Sequence, residues 1–166
     1  MKELIRITEE SCFEGYLKIK SDPVAIMWSG FSSAPEEKKL KDHFFKIIQE
    51  ENLYLYFLVE SDTNELIGYD LFERITNDYF ENKGHSVLSS YQGMGYGKLI
   101  LHLATNEAYK MGAKRFGGYI SENNLASINN ALVCGWHKTD IYEDRQLATF
   151  SRTDRFYYYE IEFDEK

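Results

Sequence analysis

Tyr91-Gln92-Gly93-Met94-Gly95-Tyr96-Gly97-Lys98 sets three glycines at alternate positions between an apparent strand, His85 to Ser89, and an amphipathic helix beginning near Tyr96. No other stretch limits the chain so narrowly. Glycine admits backbone dihedrals closed to other residues and leaves no side chain in the way, so successive N–H groups can turn toward one bound anion. The free N–H groups and positive dipole end of the following helix point at the same place. The spacing excludes the two commonest nucleotide loops. A dinucleotide fingerprint needs G-x-G-x-x-G and a Walker loop needs G-x-x-x-x-G-K-S/T, whereas here the glycines alternate and Lys98 is followed by Leu99.

A loop of this kind needs a scaffold, and 166 residues with 43% hydrophobic content suffice for one domain, 1–166, with a substantial core. The net charge of −8, from 27 acidic and 19 basic residues, argues against a nucleic-acid partner, because phosphate backbones are bound through clustered Lys and Arg. It is compatible with a cationic acceptor and equally with a plain acidic protein. Cys12 and Cys134 are far apart and form no C-x-x-C pair, so neither a disulfide framework nor a zinc site is indicated, and no metal is expected. The N-terminus lacks the apolar stretch of a signal peptide, and the longest apolar run, Leu53 to Val59, is too short to span a bilayer. The expectation is a cytoplasmic protein with no membrane partner. The oligomeric state is not legible, and a homodimer stays open.

Taken in order, Leu4 to Thr8 alternates as a strand and Glu9 to Lys20 has helical spacing. Asp22-Pro23 breaks the pattern, and Met27 to Phe31 is a connecting segment whose Trp28 and Phe31 either line a cleft or pack as core. Ser33-Ala34-Pro35-Glu36 has the form of a capping box before a helix bearing Leu40, Phe44, Ile47 and Ile48. Leu53 to Val59 is a strand buried on both faces, turning at Asp62-Thr63-Asn64 into Glu65 to Ile75. Tyr79 to Ser89 returns to the glycine loop, with Asn82-Lys83-Gly84 as a strand continuation or a tight turn. Beyond the loop come a helix ending at Gly112, a strand Lys114 to Ser121, a helix Glu122 to Cys134 and two closing strands. The strands flanking the long helix should be parallel.

Gln92, Gly95 and Gly97 in Q-x-x-G-x-G spacing, with Asn124-Leu125-Ala126-Ser127-Ile128 ending at Gly135-Trp136, resemble the GNAT superfamily of N-acyltransferases, and the order of elements matches along the whole chain. The resemblance implies an α/β fold, the GNAT fold, with a central mixed, mostly antiparallel sheet of about seven strands flanked by about four helices. It implies acetyl-CoA as acyl donor, with the pyrophosphate at Gln92, Gly93, Met94, Gly95, Tyr96, Gly97 and Lys98. Val87 and Ser89 would accompany the pantetheine arm while the fourth and fifth strands splay, and Asn124 and Ser127 would hydrogen-bond that arm. On the residues alone, Asn124 is equally a helix cap.

In the same resemblance a tyrosine on the last helix protonates the departing thiolate in many members, but the matching position here is Ala131. Tyr142 or water would have to substitute. Glu81 falls where the histone-acetylating branch carries its glutamate base, and a solvated turn glutamate is the competing reading. The implied activity is acetyl transfer to a primary amine, on a protein N-terminus, a polyamine or another small cationic amine, by direct attack in a ternary complex. The alternative is a catalytically degenerate CoA-binding regulatory module. The acceptor is a small molecule or peptide whose identity depends on the Trp28 region and on the loop before Phe156.

Overall fold

Every position from Leu53 to Val59 is apolar or aromatic, and in the computed structural model, which describes residues 1–164, this run becomes β2 (Leu53–Glu60), buried from Tyr54 to Val59. Both faces are covered because helices lie on each side of the sheet. On one side α1 (Phe13–Lys20) and α3 (Glu37–Gln49) enclose Tyr16, Phe44, Leu55, Phe57, Tyr69 and Leu71. On the other, α4 (Tyr96–Lys110) and α5 (Leu125–Val133) enclose Tyr54, Phe72, Phe80, Phe116 and Trp136.

The seven strands add β1 (Lys2–Arg6), β3 (Glu65–Arg74), β4 (Tyr79–Val87), β5 (Arg115–Ser121), β6 (His137–Leu147) and β7 (Arg152–Glu162) to β2. Their order is β1-β2-β3-β4-β5-β7-β6. All neighbours are antiparallel except β4 and β5, a parallel pair joined through α4, since parallel strands cannot be closed by a hairpin. That pair is short. Tyr79–Arg115, Phe80–Phe116 and Glu81–Gly117 are in register, and beyond them the strands part, leaving a gap in the middle of the sheet.

Several local expectations are revised. Asn82-Lys83-Gly84 is no turn: β4 runs through it with a bulge opposite Leu71 and Phe72, and the Asn82 side chain accepts from the Gly84 N–H at 3.1 Å. The Ser33 to Glu36 capping box is not formed, since Glu36 is the N-cap of α3 and makes no side-chain bond to it. The first helix is divided into a 3-10 turn at Glu10–Cys12 and α1. A short α2 (Pro23–Met27), capped by the Asp22 carboxylate on the Val24 N–H at 3.0 Å, occupies part of the segment read as connection. With it, five helices flank the sheet among the described residues, four of them of eight residues or more, in keeping with the expected number of about four.

On each side of the gap one contact holds neighbouring strands together. Gly68 of β3 lies against β4 and α4 so closely that a Cβ there would stand 2.4 Å from the Ser86 carbonyl oxygen and 2.8 Å from Ile100 Cδ1. At the other side, the buried Asp154 of β7 accepts from the Ser121 hydroxyl at the end of β5 at 2.6 Å and from Arg152 Nε at 2.5 Å. The Arg152 guanidinium hydrogen bond, with that of Ser121 after it, lowers the Asp154 carboxyl to about 2 despite burial.

Gly68→Ala should therefore destabilise the fold by about 1–3 kcal/mol or more, because the obstructing atoms include backbone that cannot rotate away, and a lower urea midpoint checks it. For Asp154 the folded pKa is depressed, so its stabilisation is present above the unfolded value near 3.8 and is lost as pH falls toward about 2. Thermal midpoints measured across pH 5 to 2 should fall more steeply for the natural chain than for Asp154→Asn, which has no carboxylate to protonate.

Candidate active site

The gap has one strand edge on each side and a glycine loop at its open end. Because the Leu88 N–H bonds the Ile67 carbonyl at 2.9 Å, alternation along β4 turns the backbone groups of His85 and Val87 away from β3 and into the gap. Amide groups facing an open interior need partners, so the edge suits an extended ligand carrying amides of its own. The Val87 carbonyl is already used, accepting from Gln92 Nε2 at 2.7 Å, which pins the loop to the strand. The Val87 side chain is in the core with Leu58, Ile67 and Ile100, leaving only its backbone to the gap.

At the loop, Gly93 and Gly95 have φ of +78° and +84°, and a Cβ at either would meet nothing within 4 Å. Open space and left-handed backbone together make a cradle. The first intrahelical bond of α4 runs from the Leu99 N–H to the Gly95 carbonyl at 3.1 Å, so the N–H groups of Tyr96, Gly97 and Lys98 precede it and have no helical partner. Met94 is 62% exposed and Lys98 also faces solvent. This donor set fits a diphosphate. Gly97 has a different part from its neighbours. It lies inside α4, and Asn130 Nδ2 of α5 is 2.9 Å from where its Cβ would be, so its bareness admits the second helix.

The other expected cofactor residues divide. Asn124 caps α5, its Oδ1 accepting from the Ser127 N–H at 3.3 Å, and both residues are half-buried. Ser89 turns from the gap: its N–H and its hydroxyl both donate to Asp22 Oδ2, at 3.0 and 2.9 Å, tying the end of β4 to the start of α2. Nothing in the spacing of residues 22 and 89 signalled this bond. The two bare positions in β5, Gly117 and Gly118, are both occupied by protein. The Tyr158 ring lies 2.6 Å from a Cβ built on Gly117, and Asn82 of β4 is 3.2 Å from one built on Gly118.

Glu81 stands at the last β4–β5 pair, where the gap begins, on the side covered by α1 and α3. Its carboxylate accepts from Lys83 Nζ at 3.2 Å and from the Tyr79 hydroxyl at 3.4 Å, and Tyr79 in turn bonds the Tyr158 hydroxyl. Burial, then the Tyr79 bond, pushes the Tyr158 phenol up, so it keeps its proton. Beneath the opposite side of the gap Asn82 Nδ2 donates to Asp70 Oδ1 at 2.7 Å, and burial raises Asp70 to about 8 and lowers His85 to about 4. Near neutral pH this floor is polar with little charge.

Tyr142 is not brought to Glu81. It lies on the edge strand β6, 50% exposed, with Arg155 3.9 Å from its ring and Tyr157 beside it, two strands outboard of β5 and roughly 10 Å away by sheet spacing. The Trp28 region and the loop before Phe156, by contrast, do meet. Trp28 packs on Phe150 at 5.1 Å, the Thr149 hydroxyl donates to the Phe31 carbonyl at 3.2 Å, and α2 touches both β4 and the β6–β7 loop. They roof the Glu81 side of the gap, although Phe31 itself is 63% exposed.

Residues 21–136 match the model of the acetyltransferase (GNAT) family. No curated protein is significantly similar in sequence. Among solved structures, the spermidine N-acetyltransferase from Vibrio cholerae in complex with CoA and spermine superposes with a TM-score of 0.84 at 12% identity, covering 97% of this chain and 95% of that one. The ribosomal-protein-S18-alanine N-acetyltransferase from Escherichia coli gives 0.77 at 15% identity over 100% and 96%. The phosphinothricin acetyltransferase from Sinorhizobium meliloti in complex with acetyl-CoA gives 0.78 at 13% identity over 99% and 89%. At these identities the structures speak for the fold, while the family model covers well over half of the chain. The seven-stranded sheet with its splayed parallel pair thus belongs to an acetyl-CoA-dependent acetyltransferase, and the chain is a member of the GNAT family.

Proposed function

We propose that this chain transfers an acetyl group from acetyl-CoA to a primary amine by direct attack in a ternary complex. The observation that carries the reading is the β4–β5 pairing that stops at Glu81 and Gly117, with the glycine cradle at the far end of the same gap. Acetyl-CoA supplies an acyl thioester, activated toward amines. Gly93 to Lys98 hold its diphosphate through backbone N–H groups, and His85 and Val87 pair with the amides of its arm. Asn124, through the amide nitrogen that its capping bond leaves over, and Ser127, through its hydroxyl, close over the arm from α5. A few charge-assisted bonds at roughly 1.5–3 kcal/mol each approach the ~8 kcal/mol of micromolar binding, so the arm contacts complete the affinity.

The amine enters from the α2 side, between the Trp28–Phe150 roof and the sheet. An ammonium with a pKa of about 10.4 must lose a proton before it attacks, and Glu81, the carboxylate at the mouth of the gap, takes it. Lys83 and Tyr79 fix the direction in which that carboxylate points. The surrounding charge is mixed. Lys83 bridges Glu73 and Glu81, and Arg145 lies over Tyr119 on the opposing wall, so the negative balance of the chain is not concentrated at the gap.

Two measurements test these assignments. Gly95→Asp puts a side chain and a negative charge into the open side of the cradle, and calorimetry should show CoA affinity reduced at least tenfold; unchanged affinity removes the loop from the site. Glu81→Gln should lower kcat by roughly 10²-fold or more with an amine acceptor, recover in part at high pH where free amine is present, and leave CoA affinity unaltered. Natural turnover across that pH range would show that the proton leaves by another route.

A further inference from the structure

The path of the amine from the α2 side to Glu81 runs along one face of the sheet, and β5 with β7 forms its far wall. Alternation and register put Tyr119 of β5 beside Tyr158 of β7 on that face, and Ser121 beside Phe156. Glu81 stands opposite Gly117 in the last β4–β5 pair, so Tyr119 comes next along the wall, before the roof beyond Ser121. The rings of Tyr119 and Tyr158 meet edge to face at 4.9 Å, and Tyr119 is half-buried. Burial, then the charges of Glu143 and Glu81, raises the Tyr119 phenol, which therefore stands within reach of Glu81 across the opening. Trp28, also half-buried and stacked on Phe150, closes the path from above.

The carboxylates beside this path already have partners. Lys83 Nζ lies 3.2 Å from Glu81 and 3.3 Å from Glu73, Arg145 is bonded to Glu143, and Arg152 to Asp154. Asp22, where α2 begins, accepts from the N–H groups of Val24 and Ser89 and from the Ser89 hydroxyl. A second ammonium on the acceptor would have to take one of these carboxylates from its partner, and Lys83, Arg145 and Arg152 would repel it. A carboxylate on the acceptor would have to displace Glu81 or Glu143 in turn. Taking an unmatched ion out of water costs several kcal/mol, a cost that a neutral body escapes. The wall also suits a flat group, since the Arg145 guanidinium already lies over Tyr119 at 5.2 Å and over Phe156 at 4.6 Å.

We infer that the acceptor is a monoamine whose amino group is carried on a neutral aromatic body, with Tyr119 and Trp28 as the residues that select it. The inference rests on the acetyl-transfer reading and narrows its acceptor. The single ammonium reaches Glu81, and the body lies behind it between Trp28 and Tyr119. An aromatic pair is worth enough beyond its buried area to favour such a body over a saturated ring of the same size by about three- to tenfold. Polyamines and amino acids are turned away by the charges that already occupy the path.

The test measures thiol release from acetyl-CoA by the natural chain with phenethylamine, 2-cyclohexylethylamine, spermidine and phenylalanine. The kcat/KM for phenethylamine should exceed that for spermidine and for phenylalanine by about tenfold or more, and that for 2-cyclohexylethylamine, both referred to free amine, by about three- to tenfold. Tyr119→Leu and Trp28→Leu should each raise the KM for phenethylamine by about three- to tenfold, leave kcat and CoA affinity within about twofold, and bring the two ring amines level. Spermidine or phenylalanine turned over as well as phenethylamine overturns the neutral body, and 2-cyclohexylethylamine doing so overturns the aromatic one, while acetyl transfer to amines stands in either case. Thiol release from none of the four overturns the inference, and calorimetry with acetyl-CoA then shows whether the cofactor reading falls with it.

Discussion

The structure depends on a pairing that is broken off. β4 follows β3 through a bulge while β5 follows β7, and after Glu81 and Gly117 the two parallel strands no longer reach each other. Unpaired backbone amides inside a sheet are costly, and exposed strand edges invite wrong partners. A chain keeps such an opening only when something of matching chemistry fills it. The bulge is part of that design, because Asn82 ties Gly84 on its own strand to Asp70 on the next, and its backbone lies against Gly118 where the gap begins.

An opening in mid-sheet would weaken the domain if the two halves were not fastened elsewhere. Three fastenings lie on the side of α1 and α3. Asp22 grips Ser89 at the end of β4, the Trp28 segment rests on the β6–β7 loop, and Asp154, at the start of β7 just after that loop, is bonded to Ser121 at the end of β5. On the other side α4 crosses from one half to the other, packed down on β3 and β4 through the bare position at Gly68. The gap is therefore framed by contacts that do not pass through it, and a ligand can enter without the frame being rebuilt.

Much of this was legible in the sequence, because the signals are local. The glycine loop, the doubly buried run at Leu53 and the periodicity of α4 each report on a few adjacent residues, and together they gave the α/β order and the parallel pair. What escaped was set by distant partners. α2 is a single turn and a half held by Asp22, and the Asp22–Ser89 bond spans 67 positions. The bareness of Gly97 admits Asn130 and that of Gly117 admits Tyr158, neighbours that a missing side chain does not name in advance.

The polar groups around the gap are sorted by side. Toward α4 and α5 the floor carries Asp70 and His85, both held near neutrality by burial, so a neutral ligand laid on this surface strips no charge of its solvent. Toward α1 and α3 stand the ionisable groups near the mouth, with Glu81 bonded to Tyr79 and Tyr79 to Tyr158. Charge placed on both sides would have to be desolvated twice when a ligand fills the gap, at a cost of several kcal/mol per unpaired ion. Gathering the ionisable groups on the side from which an amine would arrive confines that cost to the moment of reaction and leaves the remainder of the gap free to bind by backbone hydrogen bonds and apolar contact.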